Sequence, residues 1–228
     1  MLGGCISLPP NLPMAYSLSL TKNQEKTLTQ EFERQGFLNP IFLMLNTNYT
    51  PDNTPTYIFS DITFMIHRQS GWTKKRIAEY TRHLPVRLGE CNVALGPIML
   101  VFFDLASIDQ DISLSLLASR IPDQNHPLFF FAKSTGYDKF GQSSGGLVML
   151  DKKGRSFAVI ASHNPKGKAY DPEQILAHEL GHIAGIEHEK TLNDQGNPNV
   201  DLMQPRGCCY CSFNRYQCKK IQLHAKPL

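Results

Sequence analysis

Three histidines are spaced so that their side chains can meet at one metal ion, and a glutamate and a glycine lie between them. His178 and His182 lie four residues apart, so on a helix they present two imidazole nitrogens on the same face. Glu179 lies beside that face, where a carboxylate can accept a proton from a metal-bound water. Gly185 can end the helix in the left-handed conformation, and His188 can then return as a third ligand. A tetrahedral zinc ion bound this way keeps one position open for water or substrate.

The alternative interpretation of this stretch is an amphipathic core helix whose histidines are incidental. That interpretation accounts for the apolar residues, but it explains neither Gly185 nor His188. Asp171 and Pro172, just upstream, suit the cap and the first position of a helix. The spacing therefore favours a helix that carries a metal site.

The string HELGHIAGIEH at 178–188 resembles the signature of the metzincin clan of zinc endopeptidases. That signature is followed by a turn containing a methionine, and Met203, fifteen residues after His188, is the candidate. The Leu-Met-x-Pro sequence around it is most similar to that of the matrix metalloproteinase branch. However, Glu189 after the third histidine is typical of astacins, and Pro205 stands where astacins and serralysins carry a tyrosine. The resemblance is therefore to the clan, with no family assigned.

The resemblance implies an α+β fold with α/β-type layers: a twisted, mixed five-stranded sheet, a zinc helix, a Met turn and a C-terminal helix. It also implies a zinc-dependent endopeptidase with one catalytic Zn2+ held by His178, His182 and His188. Glu179 would be the general base that takes a proton from the zinc-activated water, and Met203 would pack beneath the ligands. The substrate would be a protein or peptide bound as an extended strand.

Hydrophobic patterning predicts the elements that position this site. A continuous apolar run, Ile98 to Phe103, predicts a central strand that is buried on both faces. Pro85 can kink the predicted helix in which it lies, or end it early. The order of strand, helix, strand, strand, hairpin and zinc helix is the one that the resemblance implies. The other predicted elements are a strand from Tyr57, helices at about Thr73–Leu88 and Asp111–Ser119, a strand at Leu128–Ala132, a hairpin of Leu147–Leu150 with Phe157–Ala161, and a helix at Asn214–Leu223.

The first strand of the hairpin is the candidate for substrate binding. By the resemblance, Gly146, Leu147 and Val148 belong to a sheet edge to which an extended peptide adds antiparallel, and the glycine would allow close approach of its backbone. The alternative is that glycine here only shapes a turn. Gln204 and Pro205 would shape the pocket for the side chain that follows the cleaved bond.

Length and composition are those of a globular protein with one sizeable core. The 228 residues are 41% hydrophobic and 19% charged. We expect a monomer with a catalytic domain at 56–228 and an N-terminal extension at 1–55. A net charge of +3, with scattered basic residues, argues against nucleic-acid binding, and Lys219 and Lys220 are interpreted as a solvated helix face. The longest apolar run, Pro97 to Phe103, is far shorter than the ~20 residues of a transmembrane helix.

The region 1–55 is rich in proline and is predicted to be an extended lead-in with one helix from about Lys22 to Gln35. It is either a packed extension or tether, or a short pro-segment that inhibits the enzyme. Leu2 to Cys5 matches the end of a bacterial lipoprotein signal, yet only four residues precede Cys5. Either an upstream part is missing and Cys5 carries a lipid anchor, or the match is accidental.

Cysteine content favours an oxidising compartment. Disulfides would place the protein outside the cytoplasm, either secreted or anchored as a lipoprotein, and Cys218 could join the C-terminal helix to the cysteines near the Met turn. The rival is a structural zinc bound by Cys208, Cys211 and Cys218, which the adjacent Cys208–Cys209 pair fits poorly. The oxygen-rich loop 193–199 has the composition of turns, so we do not expect Ca2+. The six cysteines are Cys5, Cys91, Cys208, Cys209, Cys211 and Cys218.

Two functions rival the endopeptidase. One is a catalytically silent scaffold that holds a peptide in its cleft, although such scaffolds usually lose the glutamate or a histidine, and all are present here. The other is a zinc amidase that acts on a cell-wall peptide. A purely structural zinc protein fits least, because three ligands beside a general base describe an open site.

Overall fold

The structure of the protein is a computed structural model that describes residues 14–17, 20–47, 49, 54–105, 114–121, 127–133, 145–162, 174–188, 203 and 212–228. Its strands are β1 (Met14–Ser17), β2 (Phe37–Thr47), β3 (Tyr57–Phe59), β4 (Ile62–His67), β5 (Val93–Leu95), β6 (Ile98–Leu105), β7 (Leu128–Ala132), β8 (Gly146–Leu150), β9 (Ser156–Ala161) and β10 (Lys226–Pro227). Its α-helices are α1 (Lys22–Arg34), α2 (Lys74–Thr81), α3 (Leu84–Gly89), α4 (Leu114–Arg120), α5 (Ile175–Ile183) and α6 (Arg215–His224), with a 3-10 turn at Arg68–Ser70.

The main sheet is mixed and has seven strands in the order β1-β2-β6-β4-β7-β9-β8. Strands β6, β4, β7 and β9 are mutually parallel, whereas β8 runs antiparallel to β9 at one edge. On the other side, β2 runs antiparallel to β6, and β1 antiparallel to β2. The prediction of five strands is therefore wrong. The two additional strands come from the proline-rich region before residue 55, which patterning did not resolve into strands.

Helices cover both faces of this sheet because its central strands are apolar throughout. In β7, Phe129 and Phe131 join the core on one face, while Phe130 joins the core on the other, as the two-residue repeat of a strand requires. The first core includes buried residues of α2, α3, α5 and α6, and the second those of α1 and α4. The α+β class with helix and sheet layers is confirmed.

The region before residue 55 contributes to the second core. Phe32 of α1 packs against Phe37 and Phe42 of β2, with ring centroids 5.6 and 5.5 Å apart, and Phe37 makes an edge contact with Phe103 of β6. These phenylalanines are at most 2% exposed. The division at residues 55 and 56 stays a prediction, but β2 is part of the same sheet and core as the strands that follow it.

The single helix predicted at about Thr73–Leu88 is two helices, α2 and α3. Pro85 lies in the first turn of α3, where its missing N–H is not needed. The strand predicted from Tyr57 is also divided: Asp61 has a φ of 68° between β3 and β4, which lie in different sheets. The helix near Lys22, the Leu128–Ala132 strand, the hairpin and the C-terminal helix lie where they were predicted, within one or two residues at each end.

A second, small sheet has the order β10-β3-β5, and its strand β10 directly follows the last helix, α6. Cys218 of α6 forms a disulfide with Cys91, 127 residues earlier in the chain. The expectation that Cys218 pairs with a cysteine near the Met turn is therefore wrong. The other cysteines, Cys5, Cys208, Cys209 and Cys211, lie outside the described residues. No helix within the described ranges combines the length and the apolar character needed to span a bilayer.

Candidate metal centre

Helix α5 carries the first two histidines and is fixed by its apolar face. Leu176 and Leu180 are buried in the core, and the helix packs on β8 and β9. Gly185 ends the helix with a φ of 72°, and the N–H of Ile186 donates to the carbonyl of Gly181 at 3.0 Å. The turn predicted at Gly185 is therefore present, and the chain reverses there toward His188. Asp171 and Pro172 lie outside the described residues.

The three histidines present their Nε2 atoms to one point. The Nε2 atom of His182 lies 3.1 Å from that of His178 and 3.0 Å from that of His188, and the remaining pair is 3.2 Å apart. Ligand nitrogens around a tetrahedral zinc, with bonds of about 2.0–2.1 Å, lie about 3.3–3.4 Å apart. The triangle fits such an ion closely, and the three residues form a group that could hold a metal. His188 is exposed, so the site opens to solvent.

The tautomer of His182 is fixed by the same turn. Its Nδ1 lies 2.7 Å from the carbonyl oxygen of Ile186, so Nδ1–H must be the donor and Nε2 keeps its lone pair for a metal. Burial lowers the pKa of His182; the hydrogen bond to the Ile186 carbonyl opposes this with a smaller effect, and the neighbouring His188 adds a still smaller lowering. The net lowering favours the neutral imidazole that binds a metal.

Glu179 is a buried carboxyl next to the histidine cluster. It is 4% exposed, and its Oε2 has no hydrogen-bond partner among the described residues. Burial raises the pKa of Glu179 to about 8. A buried acid with an unpaired oxygen lowers stability, and acids whose pKa is raised by burial occur most often at functional sites.

Gly146 makes room for this carboxyl. A Cβ at Gly146 would lie 2.3 Å from Oε1 of Glu179, so any larger residue there would displace it. The structure shows the glutamate side chain in close contact with Gly146, and the expected approach of a peptide backbone stays a prediction. Residue spacing did not predict this contact between β8 and α5.

Met203 packs directly against α5. It is fully buried, and a Cβ at Gly181 would lie 2.5 Å from its Sδ and 3.2 Å from Cε1 of Phe213. The structure thus places Met203 against the residue that precedes His182. Gly181 and Phe213 are contacts that patterning missed, although a glycine in the middle of a helix is itself a signal of close packing.

The candidate substrate strand is the last strand of the sheet. β8 pairs with β9 through Gly146↔Ile160, Leu147↔Val159 and Val148↔Ala158, and Leu147 and Val148 are half-buried. Gln204 and Pro205, expected to shape a pocket, lie outside the described residues, as does the loop 193–199.

No family model matches this chain, and no curated protein matches it. Among solved structures, metalloproteinase-II from Bacteroides fragilis is similar over 95% of this chain and 74% of its own, with 12% identity and a TM-score of 0.47. A likeness at this level carries no argument about activity, so the function rests on the residues of the site.

Proposed function

We propose that this protein is a zinc-dependent endopeptidase in which His178, His182 and His188 hold the metal and Glu179 is the general base. The observation that carries the proposal is the triangle of three Nε2 atoms, 3.0–3.2 Å apart, on and after a helix that also bears the buried Glu179 carboxyl with an unpaired oxygen. Three neutral ligands and one open position are the composition of a catalytic rather than a structural zinc site.

His178, His182 and His188 would hold a zinc ion with its full charge, which would lower the pKa of a bound water to about 7 and polarise a peptide carbonyl. Glu179 accepts the proton of the attacking water and delivers it to the departing amine. The bond between His182 Nδ1 and the Ile186 carbonyl holds one imidazole in its metal-binding tautomer. Gly146 keeps the space that Glu179 occupies.

The substrate would be an unfolded protein or peptide that adds to the outer edge of β8 as an antiparallel strand. Support comes from the place of β8 as the last strand of the sheet, with Gly146 in contact with Glu179. In this proposal Gly146, Leu147 and Val148 bind the peptide backbone, while Gln204 and Pro205 contact the side chain that follows the cleaved bond. The Cys91–Cys218 disulfide supports an extracytoplasmic location.

The test is zinc stoichiometry together with cleavage of a quenched-peptide library, for the wild type, Glu179→Gln and His188→Ala. We expect Glu179→Gln to retain zinc and to lose about 10²–10⁴-fold in kcat/KM, because only the proton acceptor is removed. His188→Ala should also weaken zinc retention. Near-normal turnover by Glu179→Gln would refute the mechanism.

The same experiment separates the rival functions. If the wild type and Glu179→Gln both hold zinc and neither cleaves peptides, the protein is either an endopeptidase inhibited by residues 1–55 or one of the two rivals. Release of products from peptidoglycan fragments by the wild type would then identify a cell-wall amidase, and tight binding of uncut peptides would identify a silent scaffold.

A further inference from the structure

Helix α6 makes a polar contact with the turn that ends the metal-binding helix. The Nζ of Lys220 donates a hydrogen bond of 3.0 Å to the carbonyl of Gly185. The ammonium also lies 5.7 Å from the ring centroid of Tyr216, one turn earlier on α6. Lys220 is partly buried, whereas Lys219, the other lysine of this pair, is exposed.

The carbonyl that Lys220 binds belongs to a turn that orients His182 and carries His188. One residue after Gly185, the carbonyl of Ile186 accepts the Nδ1–H of His182 at 2.7 Å. Two residues later, His188 supplies the third nitrogen. A shift of this turn would therefore move one ligand and release the orientation of another.

Helix α6 is itself a rigid support. Cys218 is bonded to Cys91, whose carbonyl accepts a hydrogen bond from Nε2 of Gln222 at 2.7 Å. Ile221, next to Lys220, is fully buried in the core. The lysine therefore extends from an anchored helix to an exposed turn, which is the arrangement that can hold a turn in one conformation.

We propose that Lys220 is a positioning residue for the metal site: its bond to the Gly185 carbonyl holds the 185–188 turn where His182 and His188 can bind zinc together. This inference rests on the proposed function, because it assumes that the three histidines hold the ion. In this proposal Lys220 is not a ligand of the ion and acts through the backbone of the turn.

The test is the zinc affinity of Lys220→Met, measured by competition with a chromophoric chelator, beside Lys219→Met and Lys220→Arg. Lys219→Met removes the same charge from the preceding residue of the same helix, and Lys219 is exposed. Lys220→Arg keeps a donor that can reach the carbonyl. We expect Kd to rise about threefold to tenfold in Lys220→Met, less than the 10–100-fold that loss of a direct partner of a ligand costs. Lys219→Met should match the wild type, and Lys220→Arg should recover most of the affinity.

Two further measurements separate positioning from a general effect on folding. The melting temperatures of the metal-free variants should agree, and the visible absorption of the Co2+-loaded protein should change in Lys220→Met only. Equal Kd values for Lys220→Met and Lys219→Met would overturn the inference and leave the proposed function standing. Failure of the wild type itself to bind zinc would overturn both.

Discussion

Gly181 and Met203 are matched to each other: a single carbon added to Gly181 would lie 2.5 Å from the sulfur of Met203. Gly→Ala inside a helix normally stabilises a protein by about 0.5–1 kcal/mol. Here we expect the opposite, a loss of about 1–3 kcal/mol in the free energy of unfolding, because the site is already filled. Urea unfolding of metal-free Gly181→Ala measures this change.

The double variant Gly181→Ala/Met203→Ala tests whether the methionine is the cause. Met203→Ala alone should cost about 2–5 kcal/mol through the cavity that it leaves. The double variant should be more stable than the sum of the two single losses predicts, because the added methyl then has space. Strict additivity would show that Gly181 is required for another reason.

Gly146 and Glu179 give a second prediction, about activity. Gly146→Ala should push the carboxyl out of position and reduce kcat/KM by about a hundredfold, the cost of a misplacement of about 1 Å. Zinc content should be unchanged. In the background of Glu179→Gln the same substitution should have little further effect, because the group it displaces no longer acts as a base. A full additional loss in that background would mean that Gly146 acts on the substrate alone.

The end of β8 provides a prediction about pH. Oδ1 of Asp151 accepts the backbone N–H groups of Lys153 and Arg155, both at 2.8 Å, and Oδ2 accepts from Nε of Arg155 at 2.7 Å. Burial raises the pKa of Asp151, but these hydrogen bonds and the charge of Arg155 outweigh it, so the pKa lies below its ordinary 3.8. The ionised form therefore stabilises the fold above pH 3.8, and the effect is lost as pH falls through the folded-state pKa.

Comparison with Asp151→Asn isolates this charge, since asparagine can still accept the two N–H groups. At pH 7 the free energy of unfolding of the wild type should be larger than that of the variant by on the order of 1–2 kcal/mol. The difference should shrink below pH 3.8, as followed by urea unfolding at a series of pH values. A difference that stayed constant down to acid pH would mean that the carboxylate charge is not what matters.

Removal of residues 1–55 should prevent folding rather than release an enzyme. The deletion removes β1, α1 and β2, and it exposes the edge of β6 together with Phe103, which now packs against Phe37. Deletion of residues 1–13 is the matched control, because it leaves every described strand and helix in place. Circular dichroism and size-exclusion chromatography should show a folded control and an aggregated 56–228. A folded, active 56–228 would instead identify a removable pro-segment.

The site was more predictable than the sheet that carries it, and the reason is physical. His178, Glu179 and His182 are set by the period of one helix, and Gly185 is required by one turn, so local spacing was sufficient. β2 was missed because Asn39, with a φ of 47°, and Pro40 interrupt its pattern. Both lie at the irregularity in register between Leu38 and Ile41, where a strand tolerates proline.

Contacts between distant segments could not be predicted in this way. Cys218 had several possible partners in the sequence, and only the fold places it beside Cys91. Lys219 and Lys220 are adjacent residues of the same type, and only the fold shows that Lys220 contacts Gly185. The contact of Gly146 with Glu179 likewise depends on how a strand and a helix pack together.

The position of α6 in the chain sets an order for maturation. The three histidines precede Cys218 and Lys220 in the chain, so the turn that carries His188 is synthesised earlier than the helix that contacts it. The brace is complete only when Cys218 is oxidised onto Cys91, which requires an oxidising compartment. If the proposed function holds, full zinc affinity would thus be acquired only after this oxidation, and the newly made chain would be less active before it.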